Sequence, residues 1–523
     1  MIVLNAVELL TMNENLTATQ NDYAVFLPAV SSFYSTFVGK QRFGNYVDPA
    51  RLPAGFNNGV EGLNFFDPDK GYFYYKWGLY SAGHADLDIS RHSPREDMFR
   101  SRLRNGSSIV VGDSGGFQIG KGVWEGDWKD PNCPKASKKR TQVLAWMDSL
   151  MDYGMILDIP AWVARSPAGA KATGISTYAE AVQATYINND YFIRNRNGNC
   201  KFLNVMQGEN HTEALDWYSR MKKYSDPKVY PNEHFNGWSM GGQNMCDIHL
   251  TLKMLVHMRF DGLLESGKQD WMHFLGTSKL EWAVLLTDIQ RAVRKYHNPT
   301  FTISFDCASP FLATANGQLY IQTETGHHKK WTYRMVPSVD NKKYAGDTRN
   351  FRDAVLQDGI FSNFQNSPIS SRTLINDVCI YKPGDLNKNG KEGKTSWDSF
   401  SYAIQMGHNV WMHINAVQEA NRQYDNAVMP NMLFMETQDR IYFRDVVDAI
   451  FATDDRDEAL AIVEHFNKFW ISIIGTRGAT GKKTVNSSTY FNKLFEIEEP
   501  EEQCQDSDDL DGSKLDQLEE NQE

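Results

Sequence analysis

Eight short apolar runs punctuate the first 310 residues, and polar, helix-patterned stretches separate the later ones. The runs are AVFLPA (24–29), YYKWGLYS (74–81), SIVVG (108–112), MILDI (155–159), FLNVMQ (202–207), NGWSMG (236–241), MHFLG (272–276) and FTISFD (301–306). Among them lie TQVLAWMDSLMDYG, ALDWYSRMKKY, IHLTLKMLVHMRF and LEWAVLLTDIQRAVRKY, whose apolar residues recur at the spacing of one helix face. A strand returns parallel to its predecessor only through a crossover, so this alternation predicts a parallel sheet covered by helices. Eight such units predict an α/β fold, a (β/α)8 barrel of TIM type, over residues 1–310.

In barrels of this kind chemistry sits at the carboxyl ends of the strands. The third run leads into Asp113 within VVGDSGGFQIG (110–120), the fourth carries Asp158, and the fifth ends at Gln207. The sixth runs into Gly241 and Gly242, the seventh ends in Leu275-Gly276, and the eighth ends in Asp306. Any single acid here also reads as a cap for the helix that follows. Six polar or glycine-bearing ends on one rim read instead as a polar pocket with close backbone approach. Within it, DSGGFQ reads as a low floor for a flat ligand with a carboxylate beside it.

At 523 residues, with 41% hydrophobic and 12% aromatic residues, the chain has material for a large core. Its six cysteines contain no CxxC pair, which argues against a disulfide framework and fits a reducing compartment. The start, MIVLNAVELLTMNEN, lacks the basic segment of a signal peptide. No stretch approaches the roughly 20 apolar residues of a membrane helix. A cytoplasmic protein without membrane association is the expectation. The net charge of −11 is concentrated: residues 496–523 hold thirteen acids and one base, Lys514, so the preceding 495 residues carry +1. That tail is expected to be disordered, as a solubilising segment or as a regulatory arm that mimics nucleic acid. Basic clusters at Lys135, Lys138, Lys139 and Arg140, at 327–334 with Arg349 and Arg352, and at Arg477, Lys482 and Lys483 read as phosphate contacts or as solvated faces.

DSGGFQ (113–118), the Asp158 segment, VMQG (205–208), SMGG (239–242), HFLGT (273–277) and FDCASP (305–310) stand in an order that resembles the tRNA-guanine transglycosylase superfamily. The likeness spans roughly residues 70–425 and is closest to the phage and bacterial enzymes that place 7-deazaguanines in DNA. It implies exchange of guanine in a nucleic acid for a 7-deazaguanine such as preQ0, through a covalent glycosyl-enzyme intermediate. By position it makes Asp306 the nucleophile and Asp113 the general acid/base. It assigns the donor edge of the base to Asp158, and the carbonyl to Gln207 and the backbone amide of Gly242 or Gly241. Phe117 and Leu275 would cover the two faces of the base, with Ser114 supporting the loop.

One part departs from the family. Where those enzymes carry C-x-C-x-x-C and a distant histidine for zinc, this chain reads DVCIYK, with Asp377, Cys379 and Lys382, followed by His408. The expectation is no metal and no other cofactor, zinc on Asp377, Cys379 and His408 being the lesser alternative. The family's dimer contacts run through this region, which leaves a homodimer or a partner protein open. The altered segment, 311–400, would be an insert, with 401–495 completing the domain in helices and 496–523 as the tail. It favours DNA as substrate, with the target base extruded. Tyr320, Trp331, Tyr333 and Tyr344 would then either stack on the opened site or lie in the core. The alternatives are the same chemistry on tRNA, a silent nucleic-acid-binding subunit, or a barrel glycosidase built on Asp113 and Asp306.

Overall fold

A computed structural model describes residues 14–43, 47–104, 106–277, 279–357, 366–381 and 396–475. In it each apolar run contributes a strand to one eight-stranded parallel sheet. The strands are β1 (Val25–Pro28), β2 (Trp77–Ser81), β3 (Ile109–Asp113), β4 (Tyr153–Met155), β5 (Lys201–Met206), β6 (Gly237–Met240), β7 (Trp271–Phe274) and β8 (Thr302–Cys307). Every strand from β2 to β8 pairs with its sequence neighbours, and β8 pairs with β1. The remaining gap, between β1 and β2, is bridged where Ala29 meets Leu79 and the Val30 N–H donates to the Leu79 carbonyl at 2.9 Å. The sheet is therefore a nearly closed barrel, consistent with the TIM type.

Helices cover its outside: α1 (Ser32–Phe43), α2 (Pro94–Arg102), α3 (Pro134–Leu150), α4 (Tyr178–Asn195), α5 (His211–Met221), α6 (Ile248–Phe260) and α7 (Leu280–Tyr296). Their starts are written locally. Thr177 and Glu180 form a capping box on α4, while Asn210 and Asp247 cap α5 and α6 by accepting N–H bonds. The Ala24 N–H donates to Thr287 Oγ1 at 3.0 Å, which docks α7 against the start of β1.

The fourth strand lies earlier than the run MILDI suggests. Pairing ends at Met155, and the following backbone is taken over by α4. Asn188 Nδ2 donates to the Leu157 carbonyl at 2.8 Å, and the Ile159 N–H donates to Thr185 Oγ1 at 2.9 Å. Helix side chains thus replace the ladder, and they hold Asp158 on an extended segment just beyond the sheet.

After β8 the chain forms α8 (Ser309–Ala315), the antiparallel hairpin β9 (Gln318–Glu324) and β10 (Thr332–Pro337), and the long helix α9 (Ser399–Asp425). Asn409 on α9 ties these together: its Oδ1 accepts the Tyr320 N–H at 2.9 Å, while Nδ2 donates to the carbonyls of Pro310 (3.3 Å) and Gln318 (3.1 Å) and to Thr314 Oγ1 (2.9 Å). Helices α10 (Phe443–Ala452), α11 (Arg456–His465) and α12 (Asn467–Gly475) follow. One hydrophobic core runs continuously from Leu16 to Ile473. Among the described residues no helix is long and apolar enough to cross a membrane. The acidic stretch 496–523 and the cluster at 477–483 lie outside the described residues.

Candidate active site

Asp306 is the fifth of six residues in β8, and its carboxylate opens at the mouth with 8% of the residue exposed. Oδ1 accepts two N–H groups, from His273 Nε2 at 3.1 Å and from the Gly276 backbone at 3.0 Å. Both donors converge on one oxygen, so Oδ2 is the one left to a ligand. His273 in turn lies 2.9 Å from Ser304 Oγ through Nδ1, and Ser304 Oγ accepts from the Trp271 indole at 2.8 Å. These partners follow from register: β7 and β8 are paired with Ser304 beside His273, and period-two alternation puts Trp271, His273, Ser304 and Asp306 on one side.

Asp113 closes β3, in register with Ser81 at the end of β2. The Ser81 hydroxyl donates to Asp113 Oδ2 at 2.5 Å. Burial pushes the Asp113 carboxyl above the usual carboxylate range, and the negative charge of Asp306 pushes it further, against the Ser81 and Gly115 hydrogen bonds. The two carboxylates therefore feel each other across the mouth, although they stand three strands apart around the ring.

Asp158 is buried, and its Oδ2 accepts from Gln207 Nε2 at 2.8 Å. Burial raises its carboxyl to about 7, with the Asp113 charge adding to the rise and the Gln207 bond opposing it. At neutral pH the group is poised between acceptor-only and donor-bearing forms. The glycine pair of the β3 loop permits this closeness. Gly115 turns the chain at φ +80°, and a β-carbon on Gly116 would stand 3.3 Å from Asp158 Oδ1. Phe117 follows, partly exposed, 6.1 Å from the Trp162 ring and under the Lys121 ammonium at 5.2 Å. Ser114 is packed beneath the loop, 1% exposed.

On the opposite wall Gly242 has φ +57°, and a β-carbon there would lie 3.0 Å from Gln207 Oε1. Gly242 opens a single 3-10 turn, Gly242–Met245, whose first N–H has no partner inside the turn. Gly241 spends its own N–H on the Met206 carbonyl at 2.9 Å, so of the two amides only that of Gly242 suits a ligand. Leu275, partly exposed, packs against Gly241. Contacts join Asp158, Gln207, Gly242, Gly241 and Leu275, and the charge of Asp113 acts on Asp158 as that of Asp306 acts on Asp113. Sequence reading missed Ser81, His273, Ser304 and Trp271, although the period-two pattern beside Asp306 carried the signal for three of them.

Several polar atoms just beyond the strand ends are buried without a hydrogen-bond partner: Gln118 Oε1, Gln207 Oε1, Glu209 Oε1, Gln243 Oε1 and Thr277 Oγ1. A buried acceptor left unpaired costs about 1–3 kcal/mol; such atoms also occur on α9, at Gln405 and His413, and those at the mouth differ in lying near the partly exposed Asp113, Phe117 and Leu275.

The residues proposed as residual zinc ligands do other work. Asp377 Oδ2 accepts the Leu374 N–H at 2.7 Å, and Cys379 Sγ donates to the Asn341 carbonyl at 3.4 Å. His408 Nε2 donates to the Tyr320 carbonyl and its Nδ1 meets Ser367 Oγ, both at 2.8 Å, and burial lowers the imidazole to about 4. Among the described residues no three His, Cys, Asp or Glu side chains gather as a metal site. Tyr320, Trp331, Tyr333 and Tyr344 are buried core residues, so none is a free stacking platform. The basic cluster on α3 is also partly committed: Lys135 pairs with Glu125 at 2.7 Å, and Arg140 is buried on Asn132 and Asn188. Arg334 pairs with Glu324, and Arg349 with Asp347.

No protein-family model matches the chain, and no curated protein matches it.

Proposed function

We propose that the protein is a base-exchange transglycosylase of the tRNA-guanine transglycosylase type, replacing guanine in nucleic acid with a 7-deazaguanine. The observation that carries this reading is the pairing of two unlike carboxylates at one mouth. Asp306 is held by two N–H donors on Oδ1 with Oδ2 open, and Asp113 is raised by burial and by the Asp306 charge. Such separation of environments assigns nucleophile and acid.

Asp306 Oδ2 attacks C1′ of the target nucleotide, and the C1′–N9 bond breaks with its electron pair leaving on N9. Asp113 supplies the proton that neutralises the departing guanine. In the second half Asp113, now a carboxylate, takes the N9 proton of the incoming base. That N9 attacks C1′, and the ester pair returns to Asp306. Asp158, when ionised, accepts from the N1–H and 2-amino edge of a guanine-like ring, while the Gln207 amide and the Gly242 N–H serve its carbonyl. Phe117 and Leu275 flank the ring.

DNA is the favoured substrate, with tRNA the alternative, because the post-barrel segment departs from the cysteine pattern of the tRNA enzymes. A stacked duplex requires the guanine to be flipped or presented in a single strand, at a cost of a few kcal/mol. Incorporation of labelled guanine into duplex DNA, single-stranded DNA and tRNA tests both levels. Exchange into DNA alone is expected; exchange into tRNA alone reverses the substrate assignment, and release of sugar without exchange makes the protein a glycosidase.

A further inference from the structure

Beside the proposed nucleophile lies a buried chain of three polar side chains, of which the exchange scheme uses only the contact of His273 with Asp306. Trp271 Nε1 is a donor only, and it donates to Ser304 Oγ at 2.8 Å. The Ser304 hydroxyl hydrogen must then go elsewhere, and the acceptor within reach is His273 Nδ1 at 2.9 Å. An Nδ1 that accepts carries no hydrogen, so the ring hydrogen stands on Nε2, which faces Asp306 Oδ1 at 3.1 Å. Ser304 and His273 are fully buried and Trp271 is 5% exposed, so water does not compete for these bonds. A ring flip would replace both nitrogens by carbons and forfeit both contacts.

We infer that His273 is a positioning residue for Asp306, locked by Ser304 and Trp271 into the tautomer that donates from Nε2. The kinetic consequence rests on the base-exchange reading; the tautomer does not. With Oδ1 tied to His273 and Gly276, the carboxylate cannot rotate, and Oδ2 stays directed at the sugar carbon. A donor without a full charge also suits a nucleophile that must alternate between carboxylate and ester. An imidazolium would hold the carboxylate as an ion pair and oppose ester formation. The Nε2–H bond weakens when Oδ1 becomes an ester carbonyl and regains strength as the charge returns during ester breakdown.

The test uses the full chain with ¹⁵N-labelled histidine, the His273 ring signals being identified by their loss in His273→Gln. The ring-nitrogen shifts of wild type are expected to show hydrogen on Nε2 and none on Nδ1. Ser304→Ala removes the donor to Nδ1, and its ring-nitrogen shifts should move away from the wild-type pattern. Exchange by this variant should fall roughly ten- to a hundredfold in kcat, with KM near the wild-type value. Ser304→Thr, which keeps the hydroxyl, should restore both. A wild-type hydrogen on Nδ1, or a Ser304→Ala variant whose ring shifts or kcat match wild type, overturns the inference. Absence of exchange in wild type with the Nε2–H tautomer present overturns the base-exchange reading and leaves the lock standing.

Discussion

The barrel mouth and the junction of α9 with the post-barrel hairpin are both rich in buried polar side chains, yet they differ in how those side chains meet the surface. At the junction, Asn409 satisfies four bonds and His408 uses both ring nitrogens, while Gln405 Oε1, His413 Nδ1 and Thr323 Oγ1 are buried without a partner. At the mouth, Gln118, Gln207, Glu209 and Gln243 each leave a buried acceptor without a partner. The unpaired atoms of the junction are sealed in, Gln405 and His413 being wholly buried, whereas those of the mouth stand near the partly exposed Asp113, Phe117 and Leu275, where a bound molecule could reach them. Unpaired polar atoms alone therefore do not mark a site; access decides.

The largest effect that sharpens this contrast is expected from Asp306→Asn. Exchange should fall by on the order of 10⁴-fold or more, while the thermal midpoint moves by only a few degrees. A wild-type rate in this variant would place the nucleophile elsewhere. Asn409→Ala should do the reverse. It strands the partners of a fully buried amide and should cost about 2–4 kcal/mol in denaturant unfolding, with activity per folded molecule unchanged. A loss of activity at full stability would erase the distinction between the two regions.

Asp158→Asn is expected to act through both binding and stability, with opposite signs. A carboxyl raised from 3.8 to about 7 stabilises the fold most below the unfolded value, and that contribution is lost as pH climbs from about 4 through about 7. Asparagine does not titrate, so the variant should gain stability relative to wild type at pH 8, and distinctly less at pH 5, by a few kcal/mol at most. Base binding by wild type should strengthen as pH rises through about 7, and the variant should lose both that slope and its preference for guanine-like bases. Scanning calorimetry at the two pH values, with base titration alongside, measures both. The smallest effect belongs to deletion of 496–523, which should leave the exchange rate of unmodified substrate within about twofold; a larger loss would tie the acidic tail to the chemistry.

Much of the mouth was legible because it obeys local rules. Period-two apolar runs end at Asp113 and Asp306, and the glycines at 115, 116, 241 and 242 announce tight backbone approaches. What escaped was what lies across strands. The fourth strand ended early because Thr185 and Asn188, about thirty residues downstream, took over its backbone groups. His273 gained meaning only when register set it beside Ser304 and within reach of Asp306.

The order of apolar runs and helical spacings, a property of neighbouring residues, was enough to determine eight parallel strands with helices outside and acids at one rim. Which carboxyl is pushed above its usual range, which amide is already spent, and which groups His273 faces were decided by the nearly closed barrel. Those properties depend on desolvation and on partners drawn from distant positions, and only the tertiary structure brings them within bonding range.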